Sequence, residues 1–397
     1  MTEPLTVVVG PERLFSKQFV LGSLATASHS MAFALFIHFP GFLEDLGATE
    51  VVIGLIVGFA AIAAIAIRPW VGKVMDARGR RPLILFGNVL NVVAIALYLL
   101  IDQIDGWIYA LRITHGLSEA ILFTVLFTFA ADYVPAARRT QGLAIFGVFG
   151  LLPIALAGLL GDFILNHWDF DTFFLVAAGF AVLSLILSIP LQDAPHLAGL
   201  PPARAFMVSV THGSLLPLWW ITFVFSFVLT AYFTFLRTFV DETGIGSVGI
   251  FFAFYAGAAI LLRLFFGWVP DRVGPKRALN PAMLSLAGGL AVLTLADSST
   301  GVALAGTLCG IGHGYTFPIL YALTVDRSRD AERGAAMAAY TGLFDVGTLV
   351  GGPVLGLVIR WAGYDAMFLT TAGFMVVGLT LFRLWDRAAG QPIGAEP

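Results

Sequence analysis

The sequence predicts an all-α integral membrane protein with twelve transmembrane helices in two pseudo-symmetric six-helix bundles. Three observations carry that reading: an apolar composition, twelve apolar runs of membrane-crossing length, and an internal duplication. Of 397 residues, 58% are hydrophobic and only 12% are charged, against about 25% charged in ordinary soluble proteins. Mean hydropathy is +0.90. A water-soluble fold of this length could not hide so many apolar side chains, because much of any globule's surface must face water. The composition excludes a soluble enzyme and a disordered chain. A net charge of -3 also argues against a nucleic-acid partner. The single cysteine, Cys309, rules out a disulfide framework and a thiolate metal cluster.

Each bilayer crossing needs about 20 apolar residues. Runs of that length bounded by charge or Gly/Pro fall at 16–39, 51–71, 82–101, 107–130, 141–165 and 172–190, then at 215–238, 247–269, 277–296, 301–324, 335–360 and 366–385. They are continuously apolar rather than alternating with period two, which makes them helices and not barrel strands. A polar stretch ending in Lys17 precedes the first run, so that run is expected to stay in place as a helix rather than be cleaved as a signal.

Nineteen of the 22 basic residues fall on one side of this layout, including Lys17, Arg80, Arg81, Lys276 and Arg277. Arg237 and Arg360 fall on the other side, and Arg112 lies inside a run. The positive-inside rule makes the basic side cytoplasmic and puts both termini there.

The stretch 191–214 is the longest polar connection and contains three prolines. It divides the chain into an N-terminal bundle (1–190), a cytoplasmic linker (191–214) and a C-terminal bundle (215–397). The bundles repeat one another. Asp171–Phe180 and Asp365–Phe374 agree at six of ten positions with an offset of 194, and at that offset Asp132 and Arg139 fall on Asp326 and Arg333. At 195, Gly54, Arg68, Gly72, Asp76 and Gly79 fall on Gly249, Arg263, Gly267, Asp271 and Gly274. Shared hydrophobicity does not place Asp and Arg in register, so the chain is an internal duplication. Two parallel repeats joined by a linker describe a transporter whose site lies between the halves.

The loop after the second run reads Gly72-Lys-Val-Met-Asp76-Ala-Arg78-Gly79-Arg80-Arg81, and its counterpart reads Gly267-Trp-Val-Pro-Asp271-Arg272-Val-Gly274-Pro-Lys276-Arg277. Both resemble the loop signature G-x-x-x-D-R-x-G-R-[RK] of the major facilitator superfamily, although Ala77 stands where the family usually has Arg. Gly72 and Gly267 suit close helix approach, and Asp76 and Asp271 suit the positive end of a neighbouring helix. The resemblance implies a cytoplasmic gate in which Asp76 meets the eleventh helix near Arg333 and Asp271 meets the fifth near Arg139. It spans the whole chain and implies a monomer.

The fourth run contains Arg112-Ile-Thr-His115-Gly116-Leu-Ser118-Glu119, which resembles a second motif of that family, R-x-x-[QH]-G, associated with proton-coupled members. Positions 112, 115 and 119 share one helical face. Charges in a span are costly in lipid, so this stripe should face a cavity or a partner. Glu119, helped by Arg112 and His115, is the expected proton carrier, with Asp345 as the second candidate. A neutralised Arg112–Glu119 pair that only packs the bundle is the bland alternative.

In the family the first, fourth, seventh and tenth helices line the cavity, so His29, His115 and His313 are candidates to converge there. Tyr232, Tyr315 and Tyr340 are candidate stacking surfaces for a solute. Three histidines raise a metal site as an alternative, but no short-range ligand spacing supports one. Pro153, Pro318 and Pro353 are candidate bending points. On the fifth helix the family's antiporter signature is interrupted at Gly150-Leu-Leu-Pro153, and a Gly352-Pro353 pair stands on the eleventh instead.

The run Gly310-Ile-Gly312-His313-Gly314 and the general pattern are similar to drug-efflux and arabinose-efflux-like members. The expected function is proton-coupled export of a small amphipathic organic solute by alternating access, in the inner membrane of a prokaryote. The alternatives are uptake of a nutrient or metal chelate, and a non-transporting membrane sensor. No cofactor is expected beyond the proton gradient, since no phosphate-binding G-x-x-x-x-G-K-[ST] loop or H-E-x-x-H metal motif is present.

Overall fold

The computed structural model describes residues 14–135, 139–194, 211–328 and 333–388; side chains at 69, 72, 73, 76, 77, 139–141, 143, 144, 333, 334 and 388 also lie outside the description. All the regular structure within it is helical. The helices are α1 (Lys17–Leu35), running through a 3₁₀ turn into α2 (Phe39–Asp45), then α3 (Glu50–Arg78), α4 (Arg81–Leu97), α5 (Gly106–Asp132), α6 (Arg139–His167) and α7 (Phe170–Ser188). The second half holds α8 (Leu216–Thr243), α9 (Val248–Phe266), the short α10 (Val269–Val273), α11 (Pro275–Leu293), α12 (Ser299–Asp326) and α13 (Arg333–Ala388).

Ten helices among the described residues are long and apolar enough to cross a membrane. One of them, α13, is two crossings in sequence, broken at Gly363, whose φ of 81° no helix contains. A further helix, α11, is less apolar because it opens on Pro275-Lys276-Arg277, yet its 19 residues pack between α12 and α13. Twelve expected spans and these helices are therefore the same elements, differing in where boundaries and charge fall.

Local chemistry fixes the helix ends. Asp105, Asp169 and Ser247 accept hydrogen bonds from the amides of Trp107, Thr172 and Ile250, each satisfying a donor that the first helical turn leaves free. The duplicated loop motif is visible in the backbone. Gly79 (φ 85°) and Gly274 (φ 94°) stop α3 and α10 in the left-handed region, where a Cβ is strained. Both are followed by a helix with proline in its first turn.

Within each half the helices pack side by side, and between halves α3 runs along α13 while α6 runs along α9. The end that holds Lys17, the Gly79 and Gly274 turns and Arg387 is called here the terminal end; the opposite one is the far end. The halves touch closely at the far end. A side-chain carbon on Gly54 would overlap the Gly352 carbonyl, and one on Gly356 would overlap Glu50. A carbon on Gly158 would lie 3.2 Å from the Gly249 Cα. Missing side chains thus let backbones of opposite halves meet. Toward the terminal end Gly147, Gly150 and Gly257 face open space, with nothing within 4 Å.

Candidate functional site

The polar groups expected on the fourth span lie on α5 as a buried face, but they part company. Glu119 turns to α1, where its Oε1 lies 3.2 Å from His29 Nε2. The angles do not make this an aligned hydrogen bond, and Glu119 Oε2 and His29 Nδ1 are buried without partners. Arg112 turns the other way. Its Nε and Nη2 donate to the Ile56 and Val57 carbonyls of α3 at 3.3 Å, and its Nη1 reaches Tyr98 Oη at 3.4 Å and His115 Nδ1 at 3.5 Å. The guanidinium lies over the Phe39 ring. Gly116, the glycine of that motif, is where α5 meets α3 so closely that a Cβ would overlap the Ala60 carbonyl. Arg112 and Glu119 share a helix face yet pair with different neighbours, so the intrahelical Arg112–Glu119 pair does not form. The motif instead fastens α5 to α3 and leaves the carboxylate to the histidine of α1.

Asp345 has the basic partner that its own helix lacks. Arg68 of α3 donates Nε to Asp345 Oδ2 at 2.8 Å, with Nη2 equally close, and its Nη1 reaches Thr341 at 3.2 Å and Thr124 at 3.4 Å. This pair crosses from one half to the other inside the membrane-spanning region. A second crossing lies at the far end. Asp162 on α6 accepts from the Gly249 amide, in the first turn of α9, at 2.6 Å. His38, fully buried, lies beside that carboxylate at 3.9 Å and bonds the Gly158 carbonyl at 3.2 Å. Neither Arg68 nor Asp162 was singled out as a site residue from the sequence. The signal was there for both: an ionisable group inside an apolar run.

The histidines do not gather. His29 and His115 belong to the first half, whereas His313 on α12 packs edge-on to Phe225 and hydrogen-bonds Tyr255 Oη. Among the described residues no group of three or more His, Cys, Asp or Glu is placed to hold a metal ion. Tyr232 is buried against Tyr255 and Phe251. Tyr340 is fully buried and donates to the Phe317 carbonyl at 2.9 Å, and Tyr315 donates to the Phe266 carbonyl at 2.7 Å. An apolar cleft of about 200 Å³ beside Pro153 opens between α1, α6 and α7, lined by Met31, Phe149 and Phe180 among others.

At the terminal end, Arg80 pairs with Asp132 at 2.8 Å and Arg81 donates to the Ile189 carbonyl at 3.0 Å, both within the first half. Arg272 covers the Trp268 ring, and Asp271 is exposed with no ion pair among the described residues. Gly72 and the side chains of Asp76, Arg139 and Arg333, the other members of the expected gate, lie outside the described residues, as do most of the 191–214 linker and both termini.

A family model described as the Major Facilitator Superfamily matches residues 19–305 and again 240–395. The chain belongs to the major facilitator superfamily. Two overlapping matches cover nearly the whole sequence. The chain is 25% identical over 359 residues to the uncharacterised MFS-type transporter YhhS of Escherichia coli K12, covering 86% of this chain and 85% of that one. Its counterpart in Salmonella typhimurium is 25% identical over 374 residues, 90% and 89% of the two chains. Among solved structures, a POT family transporter bound to a thioalcohol-conjugated peptide superposes with a TM-score of 0.81 at 12% identity, covering 96% of this chain and 99% of that one. A mutant of the nucleoside transporter NupG gives 0.79 at 12%, covering 93% and 100%. At such identities the likeness is one of fold. Within this superfamily fold, His29–Glu119, His38–Asp162 and Arg68–Asp345 are ionisable pairs within the membrane-spanning helices.

Proposed function

We propose that this superfamily member is a secondary active transporter that exports a small amphipathic organic solute in exchange for protons, by alternating access. The observation that carries the reading is Glu119. Its carboxylate lies between two helices of one half, 3.2 Å from a buried imidazole, with its second oxygen buried and unpartnered. A carboxylate with a bare oxygen next to a titratable ring takes up or releases a proton with little else to rearrange. Arg68–Asp345 supports the same reading from the interface, because neutralising Asp345 would release an arginine that ties the halves together.

The basic side of the chain is read as cytoplasmic, in the inner membrane of a bacterial cell, with the protein working as a monomer. The terminal end is then the loading side for an exporter. Apolar lining beside Pro153 and the scarcity of charge in the spans favour a neutral or singly charged solute over a phosphorylated one, whose desolvation would go uncompensated.

The test uses purified protein in vesicles carrying an internal pH dye and a panel of labelled amphipathic solutes. An imposed proton gradient should drive accumulation by the wild type, and Glu119→Gln should abolish it while exchange without a gradient remains measurable. Accumulation that persists in the Gln variant transfers coupling to Asp345 or removes it.

A further inference from the structure

The duplication sets two arginines at equivalent positions, Arg68 on α3 and Arg263 on α9, with an offset of 195. Each lies ten residues before its helix or helix pair ends, at Arg78 and at Val273, which is about 15 Å along the axis. Their surroundings differ. Arg68 is fully engaged by Asp345, Thr341 and Thr124. Arg263 donates Nε to the Gly314 carbonyl at 3.0 Å, and its two Nη groups have no acceptor among the described residues. Its titratable neighbours among the described residues are Tyr255, Tyr340 and His313, with no carboxylate among them.

This side chain does not simply escape to lipid. Arg263 follows Phe252, Ala256 and Ala259 along one stripe of α9 at spacings of four, three and four, and those three are fully buried. Leu261, Leu264, Phe265 and Phe266, on the other faces, are the exposed ones. The guanidinium therefore projects toward α12 and α13 with two N–H edges unused. Arg263 is only partly buried, and a cation without a counter-ion within a membrane-spanning helix is costly and marks a place where a ligand supplies the charge.

We propose that Arg263 is the recognition residue for the charged head of the transported solute, and that this solute is an amphipathic monoanion carrying a carboxylate. This rests on the transporter reading above. The planar guanidinium with both Nη groups free matches a carboxylate through two parallel hydrogen bonds. Tyr255 and Tyr340, both fully buried, lie on its inner side, so a solute reaches the guanidinium from its exposed side. One charge is specified rather than two. Arg68 is occupied by Asp345 and Arg112 by the carbonyls of α3, so neither of these intramembrane guanidinium groups is free for a dianion.

The experiment is equilibrium binding to the purified full-length protein, read as thermal stabilisation at fixed pH with no gradient. The probes are benzoate, 2-naphthoate and decanoate, each beside its primary amide, with isophthalate as the dianion. Stabilisation tracks binding to the folded state by mass action. At least one acid should bind about ten-fold tighter than its amide, the factor expected for a charge-assisted pair, and isophthalate should bind less well than benzoate. Arg263→Gln should erase the difference between acid and amide. Arg263→Lys should keep part of it, since it retains the charge and loses the fork. The proposal is overturned if no acid in the panel outperforms its amide on the wild type, or if Arg263→Gln retains the full difference. Should the Gln variant not fold, an undiminished difference in Arg263→Lys overturns it equally. Binding without a gradient needs no proton coupling, so a failure of the Glu119 test leaves this result standing, and the reverse also holds.

Discussion

At the far end of the molecule the halves meet through bare backbone, whereas nearer the terminal end Gly147, Gly150 and Gly257 have nothing within 4 Å. Gly54 against Gly352 and Gly158 against Gly249 replace side chains with direct helix contact, and Asp162 of one half holds the first turn of α9 in the other. At the terminal end every described ion pair closes within its own half: Arg80 with Asp132, and Lys276 and Arg327 with Asp386. The contrast separates contacts that hold one half together from contacts that join the two halves. Pairs within a half keep each bundle intact whichever end is open. Crossing contacts run along α3 with α13 and along α6 with α9, where small residues alternate with a few polar links.

The largest expected effect breaks the backbone contact itself. Gly54→Val places a branched side chain where the Gly352 carbonyl already sits. The far end cannot close without moving α3 from α13, and overpacking of this kind costs about 1–3 kcal/mol. Transport should be lost, and a cysteine at Val51, in a background where the buried Cys309 is replaced, should gain reactivity toward an impermeant maleimide. Unchanged labelling would show that the halves do not depend on this contact. Gly147→Val, toward the terminal end where nothing lies within 4 Å, should leave this labelling unchanged.

A smaller effect comes from the single carboxylate that crosses the far end. Asp162→Ala removes the acceptor for the Gly249 amide, and loss of a helix cap costs about 1 kcal/mol, roughly a five-fold shift in a two-state equilibrium. The same Val51 cysteine should therefore label faster. Asp162→Asn keeps an acceptor oxygen and should restore slow labelling, because Asn caps about as well as Asp. Equal labelling in the Ala and Asn variants would assign the effect to charge, through His38, rather than to the cap.

Much of this was legible in the sequence, and what was not has a common cause. Run length and charge marked the crossings, and the registers of 194 and 195 marked the duplication that Gly79 and Gly274 display as matching positive φ angles. Local periodicity placed Arg112, His115 and Glu119 on one helix face. It could not say that the first turns to α3 and the last to His29, because helical spacing fixes the face and not the neighbour across it. Asp345 looked unpartnered for the same reason. Its arginine is 277 residues away in the chain and belongs to the other half. Asp162 is subtler, since its partner is a backbone amide and carries no side-chain signature at all.

The smallest effect separates a cap inside one half from a cap across two. Asp169 accepts from the Thr172 amide and hydroxyl at 2.8 Å in the far-end loop, entirely within the first half. The Thr172 amide bond, with the hydroxyl second, holds its carboxyl below the ordinary value of 3.8. A carboxyl depressed in the folded state binds fewer protons there than when unfolded, so its stabilisation is present above 3.8 and fades as pH falls through the lower, folded value. Asp169→Ala should therefore lower the thermal midpoint slightly at neutral pH, and that deficit should shrink as the sample is acidified below 3.8. Asp169→Asn should retain most of the cap and lose the pH dependence. Neither variant should alter labelling at the Val51 cysteine, because this cap joins nothing across the interface. If Asp169→Ala does change labelling, the first half does not move as one body, and the contrast between rigid bundles and a breakable far end would have to be redrawn.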